Sequence, residues 1–309
     1  MPAIILSGKP IADVIEAEVE ADVKALETDH GFRPCLAAVR VGQDSASEIY
    51  VSNKVKTAAE LGIISEQHHL PAETSQEELL DLVRDLNANA GVDGILVQLP
   101  LPRHIDEREI LEAVDPAKDV DGFHPVNVGT LSLGYPSLVP CTPAGVIEIL
   151  KRSSIEITGK HAVIVGRSNI VGKPLAMMML KENATVTICH SRTGNLAEIT
   201  RQADILVAAI GRAGFIRGEH IGDGATVIDV GINRVTDADE ARRFFDGEEL
   251  GKRLKTIETR GSTLVGDVNS KDAMAKAANF TPVPGGVGLL TVAMLMKNTV
   301  TAARARRRL

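Results

Sequence analysis

The sequence predicts an α/β fold divided between two domains, and three observations lead there. A chain of 309 residues, 44% of them hydrophobic, has enough length and apolar content for two buried cores. Helical and strand patterns alternate along it, with no internal repeat and no low-complexity linker. Most of the strand patterns are nearly continuous apolar runs without period-two alternation, as expected of parallel strands covered on both faces.

In chain order, IADVIEAEVEADVKALE (11–27) has the apolar spacing of a helix and CLAAVRVG (35–42) is the first strand. In SASEIYVSNKVKTAAELG (45–62), Ser45 and Glu48 form a capping-box pattern, so a helix starts there. QEELLDLVRDLNA (76–88) is helical and GILVQLP (94–100) a strand. The stretch 115–143, rich in prolines and glycines, is the natural boundary between two sheets. Beyond it lie the strands AVIVG (162–166), TVTICH (185–190), DILVAAIG (204–211), TVIDVGI (226–232) and TLVGDV (263–268), and 278–300 leads into a final helix.

Composition excludes several classes. A net charge of −7 argues against a general nucleic-acid binder, which needs a basic face to neutralise phosphates. The one dense basic run, 304–308, reads as a solvated tail. No apolar run approaches the roughly 18 residues of a membrane helix, and MPAIILSGKP lacks the charged flank and long apolar core of a signal peptide. Cys35, Cys141 and Cys189 are odd in number, widely spaced and without a metal-ligand pattern, which points to a reducing cytoplasm and no metal site.

The second half reads as a Rossmann unit. AVIVGRSNIVGKP runs from a strand into a loop bracketed by Gly166 and Gly172, with Arg167 and Ser168 where a second glycine is common. Loop amides at a helix start suit a pyrophosphate, although an ordinary strand-to-helix turn has the same pattern. The next strand ends in His190, Ser191 and Arg192, without the carboxylate that receives the ribose hydroxyls in NAD-binding folds. A hydroxyl and a guanidinium can instead bind a 2′-phosphate, and Arg167 can point at the same group, so the nucleotide expected is NADP.

In the first half, Tyr50 and Lys54 are four apart and share a helix face, a spacing that also suits surface decoration. Gln98 is more unusual, because an amide inside an apolar strand must find partners. It sits near the C-terminal end of that strand, where open α/β sheets place ligands. Asp119 and Asp121 in KDVDGF add carboxylates, though Asp-Gly is also a turn signal.

Taken together, SEIYVSNKVKTAAELGI, DGILVQLPLP, KDVDGFHPVNVG, PCTPAG, VGRSNIVGKP, VTICHSRT, VIDVGIN, LVGDV and TPVPGGVG closely resemble, in order and spacing, the FolD family of bifunctional methylenetetrahydrofolate dehydrogenase/cyclohydrolases. The resemblance implies NADP-linked oxidation of 5,10-methylenetetrahydrofolate to the 5,10-methenyl cation and its hydrolysis to 10-formyltetrahydrofolate. It implies Lys54 as catalytic residue, Tyr50, Gln98, Asp121, Pro284, Gly285 and Gly286 as folate-site residues, and Gly166, Arg167, Ser168, Ser191 and Ile232 as NADP contacts. It also implies a homodimer and a folate-binding catalytic domain of 1–120 joined by a returning 280–309. A Rossmann-type NADP domain of 121–279 completes the fold, with the active-site cleft between the two. Cys141 is expected to be a packed structural thiol, since this chemistry needs no covalent intermediate.

Two departures stand out: Leu289, where proline is frequent, and the long charged segment 237–260, expected to make a surface helix. Two other readings stay open to the residues. A monofunctional dehydrogenase is opposed by the presence of Lys54. A non-catalytic nucleotide-binding module is opposed by Tyr50, Lys54, Gln98 and Asp121 together.

Overall fold

Three parallel strands organise the first half of the chain. Cys35–Val41 lies at the centre, between Ile64–Leu70 and Gly94–Val97. The structure, a computed structural model, describes residues 2–42 and 45–309, with backbone alone from 45 to 50. Every residue of Cys35–Val41 is buried, which accounts for its unbroken apolar run. Ile64–Leu70 went unread in the sequence because it is the edge strand, and its ISEQHHL alternates exposed and half-buried positions.

Helix Gln76–Ala88 covers this sheet with Leu79, Leu80, Val83 and Leu86, which share one core with Val39, Ile95 and Ile110. Ser75 and Glu78 cap its start reciprocally. Its end is closed by the buried Lys118, whose Nζ donates to the carbonyls of Leu86, Asn87 and Asn89 at 2.8, 2.8 and 2.7 Å. A helix does begin at Ser45, running to Glu60, but the expected Ser45–Glu48 capping pair lies outside the described side chains.

The second half holds six parallel strands in the order Ile4–Ile5, Asn279–Phe280, Thr226–Asp229, Ile205–Ala208, His161–Val165 and Thr185–Cys189. The first two are only two residues long, too short to leave a pattern in the sequence. TLVGDV behaves differently from the expectation of a sheet strand. Only Thr263–Val265 is extended, and it pairs antiparallel with Asn233–Val235 in a separate two-stranded sheet. The chain then turns so that the buried Asp267 faces the backbone amides of residues 210–212.

Two further expectations need correction. The 304–308 run is not a solvated tail: Arg306 and Arg307 both pair with the fully buried Asp93, Arg307 lies over the Phe32 ring, and Arg304 pairs with Asp22 at 2.8 Å. A buried carboxylate needs such partners, and only the fold brings residue 93 to the C-terminus. The charged segment 237–260 makes two helices, Ala238–Ala241 and Gly247–Arg260, rather than one. Phe244 and Phe245 between them are buried with Val235, Ala241 and Val265 in a small core of their own.

The chain divides into two compact units, Met1–Ile11 with Thr142–Leu290, and Ala12–Cys141 with Thr291–Leu309. This division lies elsewhere than the expected limits at 120 and 280. Asp119 accepts from His124 N and Asn127 Nδ2, each at 2.8 Å, which holds the segment beyond 120 to the three-stranded unit. Pairing of Asn279–Phe280 with Thr226–Asp229 keeps the residues around 280 with the six-stranded one. Among the described residues, no helix is long and apolar enough to cross a membrane.

Candidate active site and nucleotide site

In the three-stranded unit the chain passes from the central strand to one side, then crosses to the other. The ends of Cys35–Val41 and Gly94–Val97 therefore flank a switch point, where parallel sheets open a crevice. Gln98 follows directly: its N–H still donates to Val39 O at 2.9 Å, while its side chain leaves the ladder. Lys54, only 7% exposed, comes from the helix that follows the central strand. Its Nζ donates to Gln98 Oε1 at 3.1 Å, and Gln98 Nε2 donates to Leu99 O at 2.7 Å. The amide that the sequence places in an apolar strand is half-buried rather than buried, and it has both ends engaged.

Asp121 joins them from the KDVDGF turn. Its carboxyl is pushed up to about 6, chiefly by burial, with Asp119 adding to the rise and the Lys54 ammonium opposing it. The backbone beside it is fixed, since Asn298 Nδ2 donates to Val120 O and to Val139 O, both at 2.8 Å. Cys141 is a packed thiol: its Sγ donates to Val120 O at 3.4 Å, and burial holds its pKa well above the usual value. Lys118 and Asn298, which hold this turn, were not singled out in the sequence. Neither left a local signal, since the partners of Lys118 at Leu86, Asn87 and Asn89 and those of Asn298 at Val120 and Val139 are far from them in sequence. The Tyr50 side chain lies outside the described residues.

The six-stranded unit has its own switch point between His161–Val165 and Ile205–Ala208. There the first loop touches the second. A Cβ at Gly166 would land on the carbonyl oxygen of Ala209, and one at Gly172 on that of Gly166, so both positions need glycine for the backbones to approach. Ser168 Oγ accepts from Val171 N at 3.1 Å and Gly172 N at 3.3 Å, tying the loop to the start of helix Gly172–Lys181. Val165 is level with Cys189, so the loops after these strands adjoin, and Arg167, Ser191 and Arg192 are all exposed at that edge. His190 N donates to Thr193 Oγ1 at 2.8 Å, holding the Ser191 turn. Ile232 follows the next strand but one and is 45% exposed. Pro284, Gly285 and Gly286 belong to this unit, with Gly8 N donating to Gly285 O at 2.8 Å. The structure thus brings Lys54, Gln98 and Asp121 together and gathers Gly166, Arg167, Ser168, Ser191 and Ile232 along one sheet edge, while Pro284 to Gly286 lie in a different unit from Lys54.

Residues 6–121 match the catalytic domain, and residues 140–307 the NAD(P)-binding domain, of the tetrahydrofolate dehydrogenase/cyclohydrolase family. The chain belongs to that family. A protein of Koribacter versatilis named bifunctional protein FolD is 56% identical over 307 residues, covering 99% of each chain. Among solved structures, the bifunctional FolD of Campylobacter jejuni is 42% identical with a TM-score of 0.88, covering 98% of this chain and 99% of that one. The Trypanosoma brucei FolD, solved with NADP and an inhibitor, is 40% identical with a TM-score of 0.89 over the full length of both. In the terms of this family, Lys54, Gln98 and Asp121 fall in the catalytic-domain match, and the glycine loop, Ser191 and Ile232 in the NAD(P)-binding match.

Proposed function

We propose that this chain is a bifunctional enzyme of folate one-carbon metabolism. It oxidises 5,10-methylenetetrahydrofolate with NADP and then hydrolyses the methenyl product to 10-formyltetrahydrofolate. The observation that carries the reading is the buried Lys54 ammonium held by Gln98 beside Asp121, in the part of the chain that matches the family's catalytic domain. In this reading folate belongs to the unit Ala12–Cys141 with Thr291–Leu309, and the nucleotide to the unit Met1–Ile11 with Thr142–Leu290.

The residues at the six-stranded edge fit NADP. The closely packed glycine loop leads into a helix start suited to a pyrophosphate, and Arg167, Ser191 and Arg192 offer a guanidinium pair and a hydroxyl to a 2′-phosphate. NADP supplies the acceptor for the hydride lost by the bridging methylene carbon. The protein's part in that step is alignment and exclusion of water. Asp121, mostly ionised at neutral pH with a pKa of about 6, accepts hydrogen bonds from the N–H edge of the pterin. Tyr50 packs beside the folate, and Pro284, Gly285 and Gly286 contribute to its binding. In the hydrolytic step a water oxygen bonds to the methenyl carbon and one carbon–nitrogen bond opens, its electron pair going to the nitrogen, which takes one of the water's two protons. Lys54 Nζ, having first released its own proton to solvent, takes the other, and Gln98 Oε1 keeps the amine in place.

The further proposals are a cytoplasmic homodimer without nucleic-acid or membrane partners. Three unpaired cysteines suit a reducing compartment, and the net charge of −7 opposes nucleic-acid binding. The test is a spectroscopic assay of purified protein with methylenetetrahydrofolate and NADP, then with NAD, and separately of methenyl hydrolysis in Lys54→Met. Turnover with NADP together with selective loss of hydrolysis in the variant supports the reading. No turnover with either nucleotide would refute it.

A further inference from the structure

Two buried carboxylates in VIDVGIN and LVGDV have no part in the proposed chemistry. Asp267 is fully buried and accepts from three successive backbone amides, Ile210 N at 2.5 Å and Gly211 N and Arg212 N at 2.8 Å each. Gly211 has φ +73°, so these amides converge as an anion-binding nest that the protein fills with its own side chain. A fourth donor is Asn233 Nδ2 at 2.9 Å. Asp229 holds the segment that carries Asp267, accepting from Asp267 N and Val268 N at 2.9 Å and from Gly231 N at 3.0 Å. The approach is close: a Cβ at Gly231 would strike the Asp267 carboxylate, and one at Gly266 the Asp229 carboxylate.

Burying two carboxylates side by side is costly, and burial, with Asp267 adding to it, pushes Asp229 up to about 8 against its three backbone donors. A pair serving stability alone could tie any elements together. This one ties 210–212, which follow the strand at the nucleotide switch point, to 231–233, which carry Ile232 at the same sheet edge. We infer that Asp267 is a positioning residue for the nicotinamide nucleotide, fixing the loops 210–212 and 231–233 against which it lies. The inference rests on the NADP-dependent reading above. Asp267 acts on nucleotide affinity through loop geometry and leaves the Lys54 chemistry alone.

The experiment measures NADP binding by calorimetry, and methenyl hydrolysis without nucleotide, in wild type, Asp267→Asn and Asn233→Ala. Asp267→Asn turns an amide donor toward backbone donors and is expected to weaken NADP binding by about tenfold or more, the consequence of an unmet buried hydrogen bond. Asn233→Ala, which removes one donor at a half-buried site, is expected to weaken it about threefold. Hydrolysis in both should stay within about twofold of wild type. Unchanged NADP affinity in the variants, or hydrolysis falling in step with affinity, overturns the inference. If Asp267→Asn does not fold, Asn233→Ala decides by the same criteria. Wild-type protein that hydrolyses the methenyl substrate but binds no NADP overturns the functional reading and the inference with it. Wild-type binding with unmoved variants overturns the inference alone.

Discussion

Lys54 Nζ stands 3.1 Å from Gln98 Oε1, and Gln98 Nε2 is tethered to Leu99 O at 2.7 Å, so a strand end holds the ammonium through one amide. Replacing Gln98 by methionine keeps the side-chain volume but removes the acceptor. Methenyl hydrolysis is expected to fall about tenfold or more, the value of a hydrogen bond to a charged group, with methylene oxidation less affected. Gln98→Glu keeps an acceptor but pairs the amine with a charge that holds its proton, so hydrolysis should fall here too. Separate assays of the two activities check both; full hydrolysis in Gln98→Glu would remove Lys54 as the base.

Asp121 predicts opposite effects on stability and function. Its folded pKa of about 6 lies above the ordinary 3.8, so between those values the native state holds more protons than the unfolded one. The penalty is absent below the unfolded value and grows as pH rises until the carboxyl is ionised above about 6. Asp121→Asn should therefore be more stable at pH 7 by about 1–3 kcal/mol, and the gain should vanish near pH 4. Folate affinity should fall in the same variant. Denaturant unfolding at the two pH values checks this, and equal stability of variant and wild type at pH 7 would contradict it.

Arg167 is exposed beside the Ser191 turn. If it binds the 2′-phosphate, Arg167→Ala should weaken NADP binding by about 1–3 kcal/mol and leave NAD almost unchanged. Direct titration with both nucleotides is the measurement, and equal losses would refute the assignment.

The C-terminal arginines make a structural prediction. Asp93 accepts from Cys35 N at 3.0 Å as well as from Arg306 and Arg307. Asp93→Ala leaves these donors without their partner and should cost about 3 kcal/mol. The chain has no tryptophan, so unfolding is best followed by circular dichroism. A loss under about 0.5 kcal/mol, the level of an ordinary surface change, would mean that the arginines are solvated.

The sequence by itself determined the α/β class and the central strands, because a strand buried on both faces must be apolar throughout, as all seven residues of Cys35–Val41 are. It also marked Gln98 and the glycine loop, since an amide in an apolar run and closely spaced glycines are costly unless used. Tertiary structure alone decided the rest. The edge strand Ile64–Leu70 carries no apolar run because one side of it has no neighbour, and Asn279–Phe280 is too short for any period. Asp93 meets Arg306 and Arg307 across 213 and 214 positions of chain, and Asp267 meets 210–212 across 55 to 57. Such pairings satisfy buried charges, and a local pattern cannot announce them, because the partner that makes a buried carboxylate affordable is chosen by the fold rather than by its neighbours in sequence.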